Sequence, residues 1–130
     1  MLFLLAACTE APYIPSEGFR ISGVSPEDGA TDVVEVQIPE LRFSDPIDPA
    51  TCTAETLRLD GTHADGTVAF AVAVVVTAYD EGYRVQLGHD DPLPVGWTYA
   101  LSARAADDAG CTSLDGDLLA PFASTFTVAP

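Results

Sequence analysis

The chain contains no lysine. Five arginines face 20 carboxylates, and the formal net charge is −15. Such a surface repels phosphate backbones and anionic lipid head groups, so nucleic acid and a charged membrane surface are excluded as partners. Basic partners or divalent cations suit it better, although solvation of an exported domain accounts for the charge equally simply. No apolar run approaches the ~20 residues needed to span a bilayer. No window sustains a 3.6-residue apolar period, so no long helix is expected. Signatures of catalysis and cofactor binding are missing too. There is no P-loop, no Gly-x-Gly-x-x-Gly, no Cys-x-x-Cys pair and no Gly-x-Ser-x-Gly elbow, which leaves an enzyme without sequence support and no cofactor expected. A carboxylate pair for glycoside cleavage is not singled out among so many acids.

What is present starts with apolar content. At 48% apolar the chain is not a disordered acidic tail, and 130 residues fit one domain with its own core. The sequence opens Met1-Leu2-Phe3-Leu4-Leu5-Ala6-Ala7-Cys8 and turns polar at Thr9-Glu10. A short apolar run ending in small residues suits the h-region of a signal peptide. Leu5-Ala6-Ala7-Cys8 resembles the lipobox of bacterial lipoproteins, which implies cleavage before Cys8 and a diacylglycerol on its sulfur. The Lys/Arg n-region of a signal peptide does not precede the run, so residues 1–7 are read as a truncated leader whose true start lies upstream. The competing reading is a buried strand with a chance cysteine. Residues 8–19, with Pro12, Pro15 and Gly18, read as the lipidated cysteine and a tether. Threonine rather than aspartate after Cys8 implies, by that resemblance, the outer membrane, with the lipid as the chain's contact with it.

From Arg20 to Pro130 the pattern is short apolar segments punctuated by proline and glycine. Thr67 to Ala78 predicts the clearest strand, with Val68, Phe70, Val72, Val74 and Val76 on one face and Ala69, Ala71, Ala73 and Val75 on the other. Tyr83-Arg84-Val85-Gln86-Leu87 predicts a half-buried strand joined to it by a turn at residues 79–82. Trp97 to Arg104 predicts a strand with Trp97, Tyr99, Leu101 and Ala103 on one side. Phe122 to Val128 predicts the last, with Phe126 and Val128 inward. Leu57 and Leu59 mark another, ending at Gly61. Val33 to Phe43 is apolar but holds Pro39, which cannot donate to a ladder, so a break, bulge or edge is expected there. Many short strands with turn signals between them predict an all-β sandwich.

Several of these segments together resemble the bacterial Ig-like domains of surface proteins, specifically the fifth such family. The matching pieces are Val24-Ser25-Pro26-Glu27-Asp28-Gly29, Phe43-Ser44-Asp45-Pro46, Pro92-Leu93-Pro94-Val95-Gly96-Trp97-Thr98-Tyr99 and Asp107-Asp108-Ala109-Gly110, in that order. The resemblance implies an Ig-like antiparallel sandwich of about seven strands over residues 20–130. It implies turns at Pro26/Gly29 and Gly96, with Phe43 and Tyr99 between the sheets. Domains of this family serve as spacers, adhesion units or interaction modules, so the expected function is non-catalytic, with other envelope or surface proteins as partners. The small periplasmic copper-resistance proteins share the Pro-x-x-Gly opening and bind copper through an N-terminal histidine, a residue that Cys8-Thr9-Glu10 does not supply.

With Cys8 assigned to lipid, Cys52 and Cys111 remain. In an Ig-like sandwich their loops lie at the same end, so a disulfide between them is expected in an oxidising compartment, with a reactive thiol as the alternative. The same loops carry Asp45, Asp48, Asp107, Asp108, Asp115 and Asp117. Facing carboxylates supply the hard oxygens calcium takes, making Asp45, Asp48, Asp107 and Asp108 a candidate calcium site; the alternative is that they cap turn amides. An alternative function is therefore a calcium- or carbohydrate-binding domain using this acidic end. Trp97 is either a stacking platform for sugar or a residue packed in or beside the core. His63 and His89 stand in polar, turn-like stretches and read as solvated loop residues.

Overall fold

Alternation at two-residue spacing builds the core. In the computed structural model, which describes residues 18–63, 65–66, 69–103 and 110–130, Leu57 and Leu59 are buried while Arg58 between them is exposed. Ser124, Phe126 and Val128 are buried while Thr125 is exposed. Successive side chains of a strand point to opposite faces, so these strands present their apolar set inward and their polar set to water.

Among the described residues the strands are β1 (Ile21–Ser25), β2 (Ala30–Val33), β3 (Glu40–Phe43), β4 (Leu57–Thr62), β5 (Ala69–Ala71), β6 (Val75–Tyr79), β7 (Arg84–Gly88), β8 (Thr98–Ala103) and β9 (Phe122–Val128). They form a four-stranded sheet in the order β1-β3-β7-β6 and a five-stranded sheet in the order β2-β9-β8-β4-β5. Leu41, Phe43, Val85 and Leu87 of the first sheet meet Leu59, Tyr99, Leu101 and Phe126 of the second in one buried cluster. The fold is an Ig-like sandwich. It has more strands than the expected seven because two stretches divide between the sheets. It is also not wholly antiparallel, since β2 runs parallel to β9.

The first division was expected. Pro39 is buried at the point where the chain leaves β2 in one sheet and begins β3 in the other. The second was not. Thr67 to Ala78 is not one strand: β5 pairs with β4, β6 pairs with β7, and residues 72–74 cross between the sheets. Thr67 and Val68 lie outside the described residues. Val72, Val74, Val76 and Ala78 all pack on the core, so the two-residue period runs unbroken through the crossing. Hydropathy therefore carries no mark of the change of partner strand.

The hairpin between β6 and β7 turns at Asp80–Gly82, where all three residues leave the right-handed helical region. Asp80 and Glu81 take φ of 55° and 57°, and Gly82 follows at 92°. Gly82 is required twice over. Its φ is left-handed, and a Cβ there would stand 3.2 Å from the Ile47 amide nitrogen, which donates to the Gly82 carbonyl at 3.0 Å. The packed domain also takes in Phe19, one residue ahead of the boundary read from sequence. Its ring stacks on Phe43 at 5.9 Å and is 4% exposed.

Tyr99 is fully buried near the start of β8, and its hydroxyl donates to the Pro94 carbonyl at 3.0 Å. Burial pushes its phenol up from 10.0 to about 12, because the charged phenolate loses its solvation. A tyrosine whose folded value is raised stabilises the fold fully below pH 10 and loses that contribution as pH rises through about 12. Tyr99→Phe should therefore cost about 1 kcal/mol near neutrality through the lost hydrogen bond. Its deficit relative to the parent should close and then reverse above pH 10. Urea midpoints of both proteins between pH 7 and pH 12 check this; parallel curves throughout would contradict it.

Candidate functional site

Two regions bring chemically interesting residues together. The first is the loop end that joins β3 to β4 and approaches β9. Cys52 and Cys111 are disulfide-bonded, with Cα atoms 4.4 Å apart, as expected. A lattice of short contacts surrounds the bond. The Asp48 amide donates to the Thr112 carbonyl at 2.9 Å, and Ile47 and Ser113 form an isolated antiparallel bridge. The Thr112 amide donates to Thr51 Oγ1 at 2.9 Å, while the two threonine hydroxyls lie 3.0 Å apart. Both sulfurs are buried.

The aspartates here are occupied by local turn chemistry. Asp48 Oδ1 accepts the Ala50 amide at 3.0 Å, and Asp45 Oδ2 accepts the Ser44 hydroxyl at 3.1 Å. Asp117 meets Ser113 through both its amide and its carbonyl. Among the described residues no three His, Cys, Asp or Glu side chains are grouped to hold a metal ion. Asp107 and Asp108 of the candidate calcium set lie outside the described residues, as does Cys8. The candidate thus reduces, where described, to two carboxylates each already serving a turn.

The second region lies along the crossing between the sheets. An open groove of about 360 Å³ runs between residues 70–73 and 89–94, floored by Phe70, Val72 and Leu93 with Asp90 and Asp91 at its wall. His89 fastens that wall. Its Nε2 lies 2.8 Å from the Gln37 carbonyl and its Nδ1 2.7 Å from the Asp91 carbonyl. His89 is thus a partly buried brace between two loops rather than a solvated residue, a role that its polar neighbours in sequence conceal. His63, with a side chain 42% exposed, pairs with Asp65 at 2.9 Å.

Trp97 sits beside the core, not on an open platform. The rings of His63 and Phe70 contact it edge to face at 4.9 Å and 5.2 Å. Gly61 makes room for this cluster: a Cβ there would lie 2.8 Å from the Tyr99 ring and 2.9 Å from Phe70. Phe70, 37% exposed, is the ring of this group that lines the groove. The sequence did not mark this residue as a surface aromatic, because it was read as one of the bulky face of a continuous strand.

The sandwich has counterparts among known proteins. A family model described as a bacterial Ig-like domain matches residues 15–128. The chain belongs to this family. No curated protein matches the chain by sequence. Among solved structures, the Ig-like chain superposes on the bacterial surface layer protein SbsC, domains 1–6, with a TM-score of 0.60 at 16% identity. That match covers 86% of this chain and 14% of the other, so the chain spans about a seventh of the surface layer protein. It superposes on CopC from Methylosinus trichosporium OB3b with a TM-score of 0.62 at 20% identity, covering 86% and 94% of the two chains. PcoC, a methionine-rich copper resistance protein from Escherichia coli, gives 0.60 at 17% identity, with 85% and 98% covered. At such identities these likenesses are likenesses of fold. In this Ig-like chain, His63 and His89 belong to separate clusters, each already engaged by its own neighbours.

Proposed function

We propose that the chain is a non-catalytic Ig-like module of an exported envelope lipoprotein, anchored through Cys8 and serving envelope structure or protein contact. The observation that carries the reading is the buried Cys52–Cys111 disulfide, because such bonds form and persist outside the reducing cytoplasm. Family membership supports the modular role. Neighbours among surface layer and copper resistance proteins support an extracellular or envelope address. The interior supports a structural role as well: the facing sheets are filled by side chains, and the groove along the crossing is an open surface feature rather than a pocket closed over reacting groups.

The reading is tested on the full chain expressed with its genomic upstream sequence. Labelled palmitate should enter the parent and not Cys8→Ala, and the chain should fractionate with the envelope. Alkylation without reduction should modify neither Cys52 nor Cys111. Free thiols at both positions in a soluble cytoplasmic chain would overturn the proposal. A rise in melting temperature with millimolar calcium, or retention on immobilised glycans, would move the function to ligand binding.

A further inference from the structure

Each sheet ends in two outer strands, and an outer strand offers unpaired backbone N–H and C=O groups to any other chain. Three of the four outer strands carry a feature that discourages this. β1 shifts register between Ile21 and Gly23. β2 shifts between Ala30 and Val33 and contains Asp32. β5 is only three residues long. β6 differs from all of them. Its five residues, Val75-Val76-Thr77-Ala78-Tyr79, run in unbroken register with β7 from Val75 opposite Gly88 to Tyr79 opposite Arg84. It has no proline, no charge and no bulge, and no described strand pairs with its outer side. Val75 is 66% exposed on it.

We propose that β6 is a self-association edge, on which a second copy of this chain adds its own β6 antiparallel across a two-fold axis at Thr77. The register follows from charge and side-chain pairing. With the axis at Thr77, Val75 faces Tyr79 of the second copy, Val76 faces Ala78, and Thr77 faces Thr77. Aromatic with β-branched and threonine with threonine are favourable cross-strand pairs. Asp80 and Glu81, the first charges beyond the strand, then fall opposite the uncharged Val74 and Ala73. Moving the axis to Ala78 would carry both acids onto the strand itself, opposite Val76 and Val75. In a molecule of net charge −15, the stretch from Ala69 to Tyr79 is a long uncharged one, and β6 is where it meets a free ladder. Pairing there joins two four-stranded sheets into one continuous sheet with both cores on the same side.

A strand pair of this length buries less than a standard interface, so the association is weak. It strengthens with salt, because the like charges of the two copies are screened over ~3 Å at 1 M rather than ~30 Å at 0.01 M. The inference supplies a partner for the contact role proposed above. The two fail separately, since export and lipidation are read without reference to oligomeric state.

The test is sedimentation equilibrium of the chain at increasing concentration in 10 mM and 1 M sodium chloride, with amide hydrogen exchange of Val76 and Ala78, the β6 residues whose amides turn away from β7. A monomer–dimer equilibrium that tightens with salt is expected, with exchange at those amides slowing as concentration rises. Thr77→Lys, which sets two like charges across the axis, should weaken the dimer about tenfold or more. Ser22→Lys on β1 makes the same change in net charge and should leave the dimer intact. Val75→Lys repeats the edge test should Thr77→Lys fail to fold. A chain monomeric at every concentration and salt, or Thr77→Lys and Val75→Lys dimers as tight as the parent, would overturn the proposal. Exchange at Val76 and Ala78 that is slow but independent of concentration would also overturn it, assigning the edge to a segment of the same chain.

Discussion

Breaking the Cys52–Cys111 bond lowers the stability of this domain by up to about 4 kcal/mol and its melting temperature by roughly 15 °C. The argument is one of chain entropy. The bond closes a loop of sequence separation 59, and releasing it returns to the unfolded ensemble the conformations that closure had removed. The folded state loses less. The loops remain joined by the Asp48–Thr112 backbone bond and by the Thr51–Thr112 contacts at 2.9 Å and 3.0 Å. The native geometry of that end should therefore survive reduction, and the loss should appear as an earlier unfolding transition without a change of fold. Thermal unfolding with and without reductant, alongside the double variant Cys52→Ala/Cys111→Ala, measures it. A shift below ~1 kcal/mol would mean that the unfolded chain is already held compact in this region.

Phe126→Ala carries a loss of similar size, about 3–5 kcal/mol. Phe126 is 1% exposed in β9 and lies directly opposite Tyr99 in register. The two rings stack at 5.5 Å with planes 22° apart. Truncation removes the ring's apolar burial, leaves a cavity between two sheets that cannot close freely, and breaks an aromatic pair worth about 0.5–1.5 kcal/mol beyond area. Phe126→Leu retains most of the volume and should recover more than half of the loss. Urea denaturation checks the order parent, then Leu, then Ala, with m-values unchanged among the three.

How far the sequence reveals this molecule depends on whether a residue's environment is set by its neighbours along the chain. Leu57 and Leu59, Val85 and Leu87, Tyr99 and Leu101, Phe126 and Val128 are all buried as their alternation predicts. The break at Pro39 is legible because proline has no N–H for the ladder. The disulfide is legible because family topology brings two loops to one end. The crossing at residues 72–74 is not, since a chain can change sheets without changing which face it buries, and neither glycine nor proline marks the place. The acidic end illustrates a further limit. Spacing gathers carboxylates into loops, but only the geometry shows that Asp45 and Asp48 already serve the Ser44 hydroxyl and the Ala50 amide. His89 and Phe70 matter through contacts with residues far away in sequence, at Gln37 and Trp97, and no local pattern announces either.

The parallel pairing of β2 with β9 bears on how the domain answers force. The chain enters at Phe19, whose carbonyl accepts the Ala120 amide just ahead of β9, and leaves past Ala129, whose amide donates to Val33 at the far end of β2. Traction on these two ends loads β1 against β3 first. Once β1 yields it pulls β2 backward and β9 forward, so the hydrogen bonds joining the parallel strands lie across the line of pull and are sheared together instead of opening one after another. Should that clamp fail, the Cys52–Cys111 bond still withholds the 59-residue separation it spans, keeping ~200 Å of contour length out of reach of the load.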